Sequence, residues 1–425
     1  MKNSPTSAGD FEHPRPPSGI PAAKVVSTPV DHGPAAGPSL SKPVLVALMN
    51  GYTEGLSGGD VWFMEVARRW DQAELIIITS ALGKAACLSY GVKARFLLTT
   101  NERHFARLTR TYLLRTIRAV QLLSRLDHVD ILHSTSDAPP DVVPAFWLHV
   151  MQKDVVWVQR VCHVVLPKKG RLLAWATQVI MHILVRCRAD TILAISETLR
   201  NQLMRRHLPG ARLAVTYPGL DTPHRPERSN DVSGTPTLDR AYDALFVGRL
   251  HRSKGVFDLP KIWATVVNEI PNAHLGIVGH ADELQRQQLQ AEIERHSLSD
   301  RIEICGFVSD SELELLYCKA KLFLFPSHEE GYGMVIGQAL VRGLPVISWR
   351  LPSYREHFDG YIIQVAEGDL YRFSEEAVKL LRDDALRNSR AAGASWMAAQ
   401  RTWDQVAQYE WQLLRYESEE EVHIE

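Results

Sequence analysis

The chain has 425 residues, enough for two domains with sizeable cores, and its 45% hydrophobic and 23% charged residues match a soluble globular protein. A formal net charge of -1 gives no global electrostatic reason for a nucleic-acid partner, and none is expected. The five cysteines (Cys87, Cys162, Cys187, Cys305 and Cys318) are scattered and form no C-x-x-C pair, which argues against a zinc site or a disulfide framework. Buried, inert thiols in a reducing cytoplasm fit that pattern.

Residues 1–40 are rich in Pro, Gly, Ala and Ser and show no signal-peptide core, so they read as a disordered arm. From Pro43 short apolar runs alternate with helical segments. Val44–Met49, Leu75–Thr79, Ala94–Leu98, Val129–His133, Val155–Arg160, Thr191–Ile195 and Leu213–Tyr217 read as strands. Between them lie helices predicted over Asp60–Trp70, Lys84–Tyr90, Glu102–Leu126, Val143–Gln152, Arg171–Cys187 and Glu197–Arg206. These make a first domain over 41–221. The stretch Thr222–Leu238, broken by Pro, Gly, Ser and charge, reads as a linker.

The alternation restarts in a second domain over 239–400. Strands are predicted at Ala244–Val247, His274–Val278, Ile302–Ile304, Leu322–Pro326, Val346–Trp349 and Tyr361–Val365. Helices are predicted over Phe257–Ile270, Glu283–His296, Ser311–Ala320, Met334–Arg342 and Tyr371–Arg382, with a last one in 401–415. Residues 416–425 form an acidic tail, expected to be solvated. Continuous apolar strands separated by helices imply parallel sheets covered on both faces. The fold class is therefore α/β, with two Rossmann-like doubly wound domains facing a central cleft, where ligands are expected.

Three segments carry chemistry. In Gly248-Arg249-Leu250-His251-Arg252-Ser253-Lys254-Gly255 a glycine turn and two cations five apart, Arg249 and Lys254, precede a helix, a pattern that suits a pyrophosphate or a plain solvated basic loop. Gly306-Phe307-Val308-Ser309 ends a strand. In Glu329-Glu330-Gly331-Tyr332-Gly333, two glycines flank an aromatic at a helix start and leave backbone N–H groups for an anionic or hydroxyl-rich ligand. In the first domain, Gly58-Gly59 opens a helix but lacks G-x-G-x-x-G spacing, which counts against a dinucleotide oxidoreductase. His163 lies just beyond a strand end, and His133 and Asp137 are lesser candidates.

These motifs, in this order, resemble the family-four retaining glycosyltransferases of the GT-B fold, over about residues 43–415. The resemblance implies hexosyl transfer from a nucleotide diphosphate sugar to an acceptor hydroxyl of a lipid-linked or cell-envelope glycan. It also implies a C-terminal helix crossing back to the first domain. By resemblance, Arg249 and Lys254 neutralise the leaving diphosphate, with Gly248 shaping that turn. Glu330 binds sugar hydroxyls, Gly331, Tyr332 and Gly333 offer backbone N–H groups, and Gly306, Phe307 and Val308 receive the base. Gly58 and Gly59 face the diphosphate, and His163 contacts the donor sugar. The second acid of the family's E-x7-E pattern is Gln338 here, an amide that still reaches ribose hydroxyls without a charge-assisted bond.

No D-x-D-like metal motif stands in a convincing context, so the cations are expected to replace a metal and no cofactor is implied. Gln338 also keeps open a non-catalytic nucleotide-sugar-binding module, and a soluble acceptor is a further alternative. At helical spacing Arg103, Arg107, Arg110, Arg115, Arg118 and Arg125 share one side of the long helix, opposite Phe105, Leu108, Tyr112, Val120 and Leu123. With Lys168-Lys169-Gly170-Arg171, that side is either a solvated face or a dock for anionic lipid, placing the protein in the cytoplasm or peripherally on the inner face of a membrane.

Overall fold

The computed structural model describes residues 42–52, 57–102, 108–167, 170–220, 242–391 and 401–415. The predicted arm, linker and acidic tail lie outside these residues. So do Arg103, Phe105, Arg107, Lys168 and Lys169.

Two parallel sheets organise the described residues. The first runs β1 (Val44–Met49), β2 (Glu74–Thr79), β3 (Arg95–Leu98), β4 (Ile131–Ser134), β5 (Val156–Val161), β6 (Thr191–Ala194) and β7 (Leu213–Val215). Its spatial order is β3-β2-β1-β4-β5-β6-β7, with every pairing parallel. The second holds β8 (Ala244–Val247), β9 (Leu275–Val278), β10 (Ile302–Gly306), β11 (Leu322–Phe325), β12 (Val346–Trp349) and β13 (Ile363–Val365) in the order β10-β9-β8-β11-β12-β13, again parallel throughout. Strands such as Leu-Phe-Leu-Phe in β11 are buried along their whole length, because helices cover both faces.

The chain order reverses between β1 and β4 in one sheet and between β8 and β11 in the other. At these switch points the loops leave the carboxyl ends of the strands in opposite directions and open a crevice. The loops that follow β1, β4, β8 and β11 therefore frame a ligand site.

The helices of the first half are α1 (Gly58–Ala67), α2 (Ala81–Ser89), α3 (Leu108–Leu123), α4 (Pro139–Met151), α5 (Leu172–Arg188) and α6 (Glu197–Arg205). In the second half lie α7 (Leu259–Glu269), α8 (Glu283–Arg295), α9 (Asp310–Lys319), α10 (Met334–Val341), α11 (Pro352–His357), α12 (Leu370–Arg382) and α13 (Asp384–Ala391). The short α11 and α13 were not expected from the sequence pattern. α4 starts four residues earlier than predicted, because Pro139 and Pro140 fall in its first turn, where a missing N–H costs nothing.

The last helix, α14 (Trp403–Arg415), packs on α1 of the first half, as the resemblance implied. Its anchor is polar and fully buried: Glu410 accepts from Arg160 of β5 at 2.5 Å and from the Trp62 indole of α1 at 2.8 Å. The Arg160 guanidinium also lies 4.8 Å from the Trp62 ring centre.

Candidate functional site

The loops after β8 and β11 are joined along their backbones. The Ser253 carbonyl accepts from the His328 N–H at 2.9 Å and from the Ser327 hydroxyl at 3.1 Å. This brings Lys254 onto Glu330, and the two side chains form an ion pair in which Ser327 also donates to the Glu330 carboxylate at 3.1 Å. Arg249 stands exposed on the same loop; burial raises the Asp60 carboxyl of α1 above its ordinary range, and the Ser57 bonds and then the Arg249 charge oppose that rise, which puts Arg249 within electrostatic reach of the first half. His251 registers the positive field: burial first, then the charges of Arg249, Lys254 and Arg171, hold its imidazole below the ordinary range.

Gly333 adopts φ 94° and serves as an N-cap for α10 that supplies no side-chain hydrogen bond. A left-handed residue is needed there, and glycine takes that conformation at no steric cost. Gly331 is required for a different reason: a Cβ on it would stand 2.7 Å from the Cys162 carbonyl oxygen across the cleft. Between these glycines the Tyr332 ring turns inward, with its centre 4.5 Å from that of His357, so only its backbone can serve a ligand.

On the opposing side, a Cβ on Gly58 would meet Met334 Sδ at 3.2 Å, and one on Gly59 would meet Cys162 Sγ at 3.0 Å. The α1 turn, the Cys162-His163 segment and the Gly331–Gly333 loop therefore converge. His163 is exposed in that segment and close enough to lower the titration of Asp137. Arg171, read among the cations of a solvated or lipid-docking side, bonds both carboxylate oxygens of Glu329 at 3.0 and 2.8 Å, a bridge from α5 to the loop after β11.

The remaining predicted residues lie at the ends of β8 and β10 and on α10. Gly306, with φ 73°, ends β10, and Phe307 beyond it is 74% exposed, an apolar platform at a strand end with Val308 next to it. Gly248 packs near Phe246 and Phe325. Gln338 sits half-buried on α10, its side-chain oxygen 3.5 Å from the Tyr317 hydroxyl of α9, long for a hydrogen bond.

Three expectations are corrected. Arg115 does not face outward: it is fully buried, bonding Glu102 and the backbone oxygens of Asn50 and Tyr52, because these β1-loop carbonyls need donors that the sheet does not supply. The exposed surface of α3 instead includes Leu108, Leu113, Leu114 and Ile117, and that of α5 includes Leu172, Leu173, Ile180 and Ile183. His133 is sealed in the core against Phe63 and Trp70 and cannot meet an acceptor. Cys187 and Cys318 are exposed, so burial does not hold for all five thiols.

Several side chains around the site escaped sequence reasoning. Asp141 of α4 accepts from the Asn50 N–H at 2.6 Å, the Gly51 N–H at 3.3 Å and the Ser136 hydroxyl at 2.5 Å. Burial pushes its carboxyl up to about 7 despite those bonds. Glu356 of α11 accepts from the N–H groups of Glu197 and Thr198 and from the Tyr217 hydroxyl, tying α6 to the second half. Gln178 and His182 of α5 meet Asp137, and their four-residue spacing on one helix face was a usable signal. A cavity of about 200 Å³ bordered by Tyr242, His274 and Arg301 lies at the amino ends of β8, β9 and β10, away from the crevice.

Two doubly wound domains with both switch points turned toward one cleft define the GT-B class of fold. Comparisons with known proteins agree. Residues 56–224 match the family model described as Glycosyltransferase Family 4, and residues 231–395 match Glycosyl transferases group 1. The chain belongs to the group 1 glycosyltransferases of the GT4 type.

Among curated relatives, a poly(glycerol-phosphate) alpha-glucosyltransferase of Bacillus subtilis is 25% identical over 42% of this chain and 26% of its own length. The O-antigen chain mannosyltransferase B of Escherichia coli is 25% identical over 51% of this chain and 58% of its own. In both cases the match spans less than two thirds of the relative. Among solved structures, Anabaena HepE in complex with UDP and glucose superposes with a TM-score of 0.69 at 17% identity, covering 88% of this chain and 100% of that one. The lipopolysaccharide-biosynthesis glycosyltransferase WaaG gives 0.65 at 14%, covering 87% and 99%.

Proposed function

We propose that the chain transfers a hexosyl unit from a nucleoside diphosphate sugar to an acceptor hydroxyl, with retention at the anomeric carbon. The observation that carries this reading is the meeting of Lys254 and Glu330 at the second switch point, with Arg249 exposed on the same loop as Lys254, opposite the Gly58-Gly59 turn and the Cys162-His163 segment. Glu330 would bind sugar hydroxyls. The bond from the anomeric carbon to the diphosphate breaks, and its electron pair leaves with the phosphate oxygen. Arg249 and Lys254 stabilise that charge as it develops, which favours the transition state over the bound substrate. The acceptor oxygen bonds to the same carbon, and its proton passes to the leaving phosphate. No divalent metal is needed in this scheme, so turnover should survive EDTA. Ligands of neighbouring folds support the donor class, since HepE was crystallised with UDP-glucose.

Replacing Lys254 by Ala tests the assignment. We expect kcat to fall by about 10²- to 10³-fold, the scale of losing one charge-stabilising donor. Near wild-type turnover would sink the role given to Lys254.

The acceptor we propose is lipid-linked or part of a cell-envelope glycan. The support is the apolar exposed surface of α3 and α5, with Arg110 and Arg118 exposed on α3. Apolar side chains and cations together suit the interface of an anionic bilayer. Among the described residues no helix is long and apolar enough to cross a membrane, so this contact would be peripheral. In flotation assays the protein should rise with anionic vesicles, and Leu113→Glu should release it. Equal flotation of both would remove the lipid surface from the proposal.

A further inference from the structure

Beyond β5 the chain leaves the sheet, and over residues 162–167 it has no strand partner. Backbone groups in such a segment must find other partners or be solvated. One side chain supplies two of these partners. Gln178 of α5, 5% exposed, donates to the His163 carbonyl at 2.9 Å and to Asp137 at 2.7 Å. Its oxygen accepts from the Val165 N–H at 2.8 Å and from Arg206 at 2.9 Å. Arg206 then donates to the Val165 carbonyl at 2.6 Å, and His182 meets the same Asp137 oxygen at 3.1 Å. Every donor and acceptor of the Gln178 amide is used. Burial alone would raise the Asp137 carboxyl, but the His182 bond and the charges of His163 and His182, with Gln178, hold it below its ordinary value.

We propose that Gln178, backed by Asp137, is a positioning residue: it replaces the missing strand partner and fixes residues 163–165 so that His163 is presented to the cleft. The inference rests on the reading of His163 as a donor-sugar contact. Two neighbours show why small displacements matter. The Cys162 carbonyl lies against Gly331 and the Cys162 sulfur against Gly59, so a shift of this segment would move His163 relative to both halves of the site. Gln178 itself is buried in the first half and acts only through the backbone that it holds.

The test is a double-mutant cycle on transfer or donor hydrolysis, run well below the melting temperature of each variant. Gln178→Met should lower kcat by roughly 10- to 100-fold with donor KM changed less than about twofold, the scale of a mispositioned group. In a His163→Ala background the same substitution should cost nothing further. Gln178→Glu keeps the two accepted bonds and loses the two donated ones, so it should lose kcat as well. An equal loss from Gln178→Met in both backgrounds, or an unchanged kcat, would overturn the proposal. Wild-type kcat in His163→Ala would overturn the His163 assignment instead, and the positioning role with it. Histidine imidazole NMR gives a readout independent of turnover, with the His163 signal identified by its absence from His163→Ala. That signal should move or broaden in Gln178→Met, and an unmoved signal counts against the positioning role.

Discussion

The two halves of the cleft are built by different means. In the second half the groups proposed to act on the donor lie on two loops at one switch point: Arg249 and Lys254 after β8, Glu330 after β11. In the first half the loops are held by buried side chains that reach in from helices. Asp141 and Arg115 grip residues 50–52, Gln178 grips 163–165, and Glu410 reaches back from α14 to Arg160 beside them. One side carries its chemistry on its own loops, and the other depends on buried supports. Sequence motifs therefore mark the loops of the second half and leave the supports of the opposite wall nearly silent.

The sharpest way to break this comparison is at Glu410. Truncating it to Ala leaves the Arg160 charge buried without its carboxylate, and losing one member of such a pair costs about 3–5 kcal/mol. We expect that drop in urea unfolding, together with loss of the α14 contact with Trp62. A loss below about 1 kcal/mol would mean that the apolar contacts of Trp403 and Trp411 hold α14 on their own.

Asp141 gives the second test, through pH. Its folded carboxyl titrates near 7 and its unfolded one near 3.8, so between those values the folded state holds the extra proton. The stability from this group is complete below 3.8 and is lost as pH rises through about 7, with a slope of at most about 1.4 kcal/mol per pH unit. Asp141→Asn, which cannot ionise, should flatten that slope between pH 4 and 7 (roughly the window of the shift). An unchanged profile would place the ionisable support elsewhere.

The fold was legible because its signals are local. Alternating apolar strands and helices, with the glycine turns after β8 and β11, mark both sheets and the donor loops from short windows of sequence. The long helix shows where local reading fails. Its arginines share a side at 100° per residue, yet Arg115 turns inward, because β1-loop carbonyls more than sixty positions earlier need its donors. Nothing in the helix's own pattern carries that information. The same holds for Glu410, one acid in an otherwise ordinary amphipathic helix, whose partner in β5 lies 250 positions away. His133 reads as a strand-end polar residue until its aromatic neighbours are known.

Gln338 sharpens the donor side. Replacing it by Glu restores a carboxylate near Tyr317 and Arg342, on the helix that follows the donor loop. A charge-assisted bond to a ribose hydroxyl is about twice as strong as a neutral one. Donor KM should fall by up to about tenfold, or ~1.4 kcal/mol, with little change in kcat. Hydrolysis seen only in the mutant would favour a non-catalytic binding module for the natural chain.

The smallest effect expected is at the Arg171–Glu329 ion pair, which spans the cleft rim. Both partners are about two-fifths exposed, at 41% and 43%, so water and salt screen their attraction. Exposed pairs contribute roughly 0.2–1 kcal/mol. Glu329→Gln should therefore leave the melting temperature nearly unchanged. Its effect belongs on donor access, because the bridge joins the N-terminal turn of α5 to the loop that carries Glu330. A weakened bridge should raise the donor association rate modestly at low salt, and the difference from the natural chain should vanish at high salt. A melting temperature lowered by many degrees would show that the two walls depend on this bridge for stability. The contrast between a self-sufficient donor side and a supported opposite wall would then fail at the rim.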